Sequence, residues 1–320
     1  MQLTGCWLKA ESLCFQERPM ESVESLTENI VDRLDFSDLN YKNFLENNAK
    51  AFEAINLVVP DRDLIATQKA IHAIGAFIKN GKPIFQVTKN LTQALVQTDP
   101  PNFPLSEFKA PFPAFRIEPS PGIVKFANQP ADKIYVTFVE GDRFQVLIVF
   151  EKQIHYMAFP LSDTTKTLEE AVNITRENMW KDLPEETRKR LQAEAEYFGI
   201  DDYFDQSAFK FAVNLVLYAT SIRRDVEPLD KRIVKQHGKQ SPRDGIRKIY
   251  ICGRKFTIER EITANFTREG RKIMKRFMVR GHWKMQPYGK NSELRKHIFV
   301  APYWKGPEFA ELVARNYVVS

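Results

Sequence analysis

An imidazole set between a guanidinium and an indole, in the run Arg280, Gly281, His282, Trp283, Lys284, opens the part of the chain richest in reactive and stacking side chains. His282 is the residue type a general acid or base needs near neutral pH. The cations around it, with Tyr288, Arg295 and His297 further on, are what would stabilise charge building on a phosphate. Together they would suit a metal-independent ribonuclease with His282 as its catalytic residue. The same residue types also suit binding without cleavage. Basic side chains neutralise phosphates, and aromatic faces stack on unpaired bases, each stacked base contributing on the order of 1–3 kcal/mol. Arg280, His282, Trp283, Lys284, Tyr288, Arg295, Lys296, Tyr303, Trp304 and Lys305 are the candidate nucleic-acid-binding residues. Gly281 and Gly289 leave room for a backbone to approach. RNA, single-stranded or structured, fits this mixture better than duplex DNA, which calls for a groove-reading helix.

Charge is divided along the chain. Residues 228–306 hold 21 Lys or Arg against 6 Asp or Glu, a net of +15, whereas residues 1–227 hold 25 against 33, a net of −8. A merely solvated face rarely needs one sign of charge, so the basic block is read as meeting RNA, and the acidic body as a surface for a protein partner. The plainer alternative makes Trp283, Tyr288, Tyr303 and Trp304 the core of a small β module whose cations face water. No metal or cofactor is expected. The basic block has no spaced acidic pair for a metal nuclease, and His237, Cys252, His282 and His297 follow no zinc spacing. P-loop, nucleophile-elbow, HExxH, RNP1-like and GxxG patterns are absent.

The elements that must position these residues read as an α+β chain. A helical N-terminal region is expected over 1–105, an α+β domain with an antiparallel sheet over 106–225, and a basic β-rich module over 226–320. In the first, the clearest helix runs from Arg62 to Lys79, with Leu64, Ile71, Ile74 and Ile78 on one face and His72 packed beside them. A Pro-rich connector, 99–121, contains a short edge strand at Ala114–Glu118. Ile134–Val139, Phe144–Phe150 and His155–Leu161 read as a β-meander. Helices then follow. A capping box, Thr167 to Glu170, opens one, Pro184 begins another that stops at Gly199, and an apolar stripe from Phe204 to Ile222 marks the third. In the basic module, 226–248 reads as an exposed loop. Arg247–Cys252 with Lys255–Glu261, and Phe277–Trp283 with His297–Tyr303, read as two hairpins. Three scattered cysteines, no signal-peptide pattern and no apolar run near the roughly 20 residues that cross a bilayer point to a cytoplasmic protein without a membrane partner.

The pattern RGHWKMQPYG followed by LRKHIFVAPYWKGPE resembles the C-terminal signature of a family found on phages, plasmids and other mobile elements, one diverged branch of which includes an inhibitor of type V-A CRISPR immunity. The residues that carry the resemblance are Arg280, Gly281, His282, Trp283, Pro287, Tyr288, Gly289, Arg295, Tyr303, Trp304 and Gly306. The resemblance implies a mobile-element origin and RNA- or translation-linked regulation, since that inhibitor lowers the message of the effector nuclease. The function expected is therefore regulatory: binding of RNA by the C-terminal module and repression of a host or defence transcript, in an anti-CRISPR-like manner. The alternatives are the His282 ribonuclease and a protein-binding inhibitor with no nucleic-acid contact.

Overall fold

A computed structural model describes residues 21–56, 61–126, 129–149, 154–179, 207–221, 224–229, 248–257, 261–262 and 277–305, together with Glu185, Lys189 and Ala193. Four helices come first: α1 (Glu21–Ile30), α2 (Tyr41–Asn47), α3 (Ala49–Asn56) and α4 (Asp61–Lys79). Strand β1 (Pro83–Val87), helix α5 (Lys89–Val96), strand β2 (Ala114–Glu118) and the short pair β3 (Lys125–Phe126) and β4 (Gln129–Pro130) follow. The meander is β5 (Lys133–Val139), β6 (Arg143–Val149) and β7 (Ile154–Pro160), trailed by α6 (Leu168–Met179) and α7 (Ser207–Thr220). The basic segment supplies β8 (Val226–Pro228), β9 (Lys248–Cys252), β10 (Glu261–Ile262), β11 (Phe277–Val279), β12 (His282–Tyr288), β13 (Leu294–Val300) and β14 (Tyr303–Lys305).

Seven of these strands make one mixed sheet in the order β7-β6-β5-β2-β1-β9-β8. Strand β1 runs parallel to both β2 and β9, and the other pairings are antiparallel. The sheet is covered on both faces, which is why β5 and β6 read as near-continuous apolar runs. Alternation sends Tyr135 and Leu147 toward α4, beside Ala73, Ile74, Phe77 and Ile84. Ile134, Val136, Val146 and Ile148 point the other way, into the main core with the buried residues of α5, α6 and α7. Helix α4 has a second buried side. Its Ile71 packs with Leu34, Tyr41, Phe44 and Phe52 of the N-terminal helices. Gly75 belongs to that junction, because a Cβ there would stand 2.1 Å from Cζ of Phe36.

The capping box forms as expected: the Thr167 amide donates to Glu170 Oε2 at 2.7 Å and the Glu170 amide to Thr167 Oγ1 at 3.4 Å. Arg224 Nη1 donates to the Ala219 carbonyl at 3.1 Å, as a cation near a helix C-terminus should. Of the helix expected from Pro184 to Gly199, Glu185, Lys189 and Ala193 are described and each is helical. The stretch 230–247 lies outside the described residues.

Several local expectations are corrected. Residues 83–87, inside a stretch that reads as helical, form the strand at the parallel centre of the sheet. Its pattern, buried on both faces, has no two-residue period to betray it. Ala114–Glu118 is a strand but an interior one between β1 and β5, since Pro113 and Pro119 bracket it without interrupting its ladder. Helix α7 is buried from Ala208 to Ala219 except at Lys210, not along one stripe, because the sheet covers one side and the basic hairpin the other. The Arg247–Cys252 hairpin does not form. Strand β9 pairs with β1 and β8 instead, and Gly253, with φ of 83°, ends it. Val226–Pro228, read as loop, is the edge strand β8.

Candidate nucleic-acid interface

The second expected hairpin is corrected: its ladder is shifted toward the turn, and Phe277–Val279 pairs with Tyr303–Lys305 in a separate sheet. β12 and β13 pair antiparallel from His282 opposite Val300 to Tyr288 opposite Leu294, which places Pro287 within the ladder and not in the loop. Gly289, with φ of 81°, makes the turn. Directly opposed residues share a face of the ribbon, so the register sorts the candidates. One face carries His282, Lys284, Gln286 and Tyr288 with Leu294, Lys296, Ile298 and Val300. The other carries Trp283, Met285 and Pro287 with Arg295, His297 and Phe299.

The second face is anchored to the body. Trp283 Nε1 donates to Asn214 Oδ1 at 2.9 Å, and Asn214 Nδ2 donates to the carbonyls of Thr98 at 2.6 Å and Leu95 at 3.1 Å. Asn214 is fully buried in the middle of α7, and both ends of its amide are used. Thr98 Oγ1 lies 3.0 Å from the Gly281 carbonyl and 2.7 Å from that of Ala94. A Cβ on Gly281 would meet Phe299 at 2.9 Å and Thr98 Oγ1 at 3.0 Å, so this glycine is needed for close approach. Phe299 packs against Trp283, Tyr218 and Phe256. His297 Nδ1 lies 3.4 Å from Glu107 Oε2, and its ring meets Phe103 edge-on. Two signature residues, Gly281 and Trp283, thus fasten the ribbon to α5 and α7.

The first face and the turn are open. His282, Lys284 and Tyr288 are exposed on the first face, as are Lys290 in the turn and Arg295, which stems from the second face beside the turn; Lys296 is half-buried with Nζ 4.6 Å above the Tyr288 ring. Arg295 Nη1 donates to the Ser292 carbonyl at 2.5 Å, which holds its stem along the turn. Toward the base Ile298 is buried, so the open strip runs from Lys284 to the turn. Among the described residues the exposed large apolar side chains are Met285, Tyr288 and Leu294, and all three lie on this ribbon. Glu293 is the carboxylate of the turn. His282 Nδ1 is 3.2 Å from the Arg280 carbonyl.

The structure therefore places His282, Lys284, Tyr288 and Lys296 on one face, with His282 at the opposite end of the ladder from Tyr288, places Trp283 and Arg295 on the other face, and sets Tyr303, Trp304 and Lys305 on β14. That strand pairs with β10 and β11 in a separate three-stranded sheet. Arg280 is exposed just before β12. Cys252 is buried in β9, where burial pushes its thiol up to about 12, and His237 lies outside the described residues. Sequence reasoning passed over Asn214, Thr98, Lys290 and Leu294. Asn214 had a legible signal, being an amide inside an otherwise apolar helical run.

Fold and site define a class: an α+β protein with a sheet covered on both faces and a basic ribbon locked onto its helical side. The chain belongs to the AcrVA2-like anti-CRISPR type V subtype A2 family, whose model matches residues 85–307, from within β1 past β14. Among solved structures it is similar to one described as the crystal structure of AcrVA2, at 12% identity and a TM-score of 0.44, over 91% of this chain and 94% of that one. No curated protein matches it. Among the described residues no helix is long and apolar enough to cross a membrane.

Proposed function

We propose that this protein counters type V-A CRISPR immunity inside the cell as a regulatory RNA-binding protein, and that it holds RNA on the open face of the β12–β13 ribbon to repress a transcript of the defence system. The observation that carries this is the strip itself: Lys284 and Lys296 with Tyr288 on the open face, and at the turn Lys290 and the Arg295 guanidinium, which stems from the other face but bonds to the Ser292 carbonyl, on a ribbon fastened to the body through Trp283. A fixed ribbon presents its cations without having to order them on binding, which removes part of the entropic cost. Lys296 covers one side of the Tyr288 ring, leaving the other for an unpaired base. The acidic body, at −8, is the surface for a protein partner.

Fluorescence anisotropy with a labelled single-stranded RNA tests the reading. Four cation–phosphate contacts give a slope of about −3 in log affinity against log salt, or roughly fiftyfold weaker binding between about 50 and 200 mM salt. The Lys284→Ala, Lys296→Ala double variant should halve that slope. An unchanged slope and affinity would remove the ribbon from the account. Exposure of Met285 and Leu294 favours a second reading, in which the ribbon docks an acidic, partly apolar protein segment. That reading predicts binding that RNA does not compete away.

A further inference from the structure

The free end of the ribbon carries cations on both of its faces. Every residue from Tyr288 to Arg295 is exposed, and so is Met285 on the second face, so toward the turn both faces leave the body. Lys284 and Lys296 stand on the first face, Arg295 stems from the second, and Lys290 lies at the turn between them. Against these four, residues 284–296 hold a single carboxylate, Glu293. No carboxylate among the described residues pairs with any of the four. Cations of the body differ: Lys79, Lys109, Lys133 and Arg143 each hold an aspartate or glutamate within 2.9 Å. Arg295 spends Nη1 on the Ser292 and Leu294 carbonyls, which steadies the guanidinium and leaves Nε and Nη2 to donate elsewhere.

A strand laid along the first face presents its phosphates to one side of the ribbon, whereas a groove has a phosphate wall on each side. We propose, resting on the RNA reading above, that the free end enters the major groove of a helical RNA at a bulge. Lys284 and Lys296 face one wall, Arg295 faces the other, and Lys290 leads at the turn. Tyr288, with Lys296 over one side of its ring, stacks its other side on a base that the bulge frees. Width requires the bulge. A two-stranded ribbon fits a groove about 12 Å wide, as in B-form DNA, and the A-form major groove is too narrow for it until unpaired nucleotides open it. Duplex DNA has the width but offers the tyrosine no unpaired base. Length agrees, since at ~3.4 Å per residue Lys284 to Tyr288 spans about 14 Å, more than the ~8.5 Å depth of the B-form groove.

Fluorescence anisotropy on the full chain, at one salt concentration, tests it with four labelled probes of equal length. They are an RNA stem with a bulge, the same stem fully paired, an unstructured RNA strand and a DNA duplex. The bulged stem should bind about tenfold more tightly than each of the others, the worth of one charge-assisted hydrogen bond gained at the second wall. Met285→Glu places a carboxylate at an exposed position of the second face and should keep the parent's circular dichroism. It should weaken the bulged stem about tenfold more than the strand, because like charges meet only where a second wall is present. A bulged stem within about threefold of any other probe overturns the proposal, as does a Met285→Glu protein that keeps the parent's preference. Tight binding of the strand without that preference overturns the groove and leaves the RNA reading standing. No binding of any RNA removes both.

Discussion

Replacing Asn214 by leucine tests the lock between ribbon and body. The substitution keeps the side chain's approximate size and removes three hydrogen bonds. Their loss is unequal. The Leu95 carbonyl also accepts from the amides of Gln97 and Thr98, so it retains partners. The Thr98 carbonyl and the Trp283 indole N–H lose the bonds Asn214 makes to them, at 2.6 and 2.9 Å. Each stranded group costs about 1–3 kcal/mol, so the expected destabilisation is about 2–6 kcal/mol, a large part of the ~5–15 kcal/mol that holds a typical domain together. Urea unfolding followed by circular dichroism measures it, and a double-mutant cycle with Trp283→Phe isolates the bond. In the Trp283→Phe background the Asn214→Leu cost should shrink by about 1 kcal/mol, because no N–H remains to be stranded. Hydrogen exchange should quicken in β12 and β13 before it does in β5 and β6. Additivity within about 0.5 kcal/mol, or an Asn214→Leu protein as stable as the parent, would refute the lock.

Two further outcomes follow from the fold. His72 and His155 are buried, and loss of hydration holds both imidazoles down at about 4, below the ordinary 6.5. A depressed basic pKa means the unfolded chain takes up the proton first. The stabilisation is therefore full above pH 6.5 and is lost as pH falls toward 4, by about 3 kcal/mol per histidine at the limit. A melting temperature that stays level from pH 7 to 4 would contradict this. Gly75→Ala should destabilise even though alanine is the better helix former by ~1 kcal/mol, since Phe36 must leave its seat; overpacking of this kind costs about 1–3 kcal/mol. Thermal unfolding decides the sign, and a stabilised variant would show that Phe36 moves freely.

How far the sequence could be read depended on whether an element's signal was local. The capping box at Thr167, the meander and the apolar periodicity of α4 are local, and the structure has all three. Strand β1 was hidden because its parallel partners β2 and β9 come from distant parts of the chain, and burial on both faces erases alternation. For the same reason Ala114–Glu118 looked like an edge among its prolines. At the ribbon, residue types and the strand at His282 were legible, but the face each residue takes was not. A single step of register separates Trp283, bonded to Asn214, from Lys284, open to solvent. The family signature mixes anchors with exposed residues, and only the structure tells them apart.

The central claim is that the open strip of the ribbon holds RNA. The most direct test is crosslinking and recovery of nucleic acid from the protein expressed in cells carrying a type V-A system, beside a Lys284→Ala, Tyr288→Ala, Lys296→Ala variant that leaves the Trp283 anchor intact. Enriched RNA from a defence-system transcript is expected with the parent, and its loss with the variant while both proteins remain equally folded. Equal recovery from the two, or none from either, would contradict it.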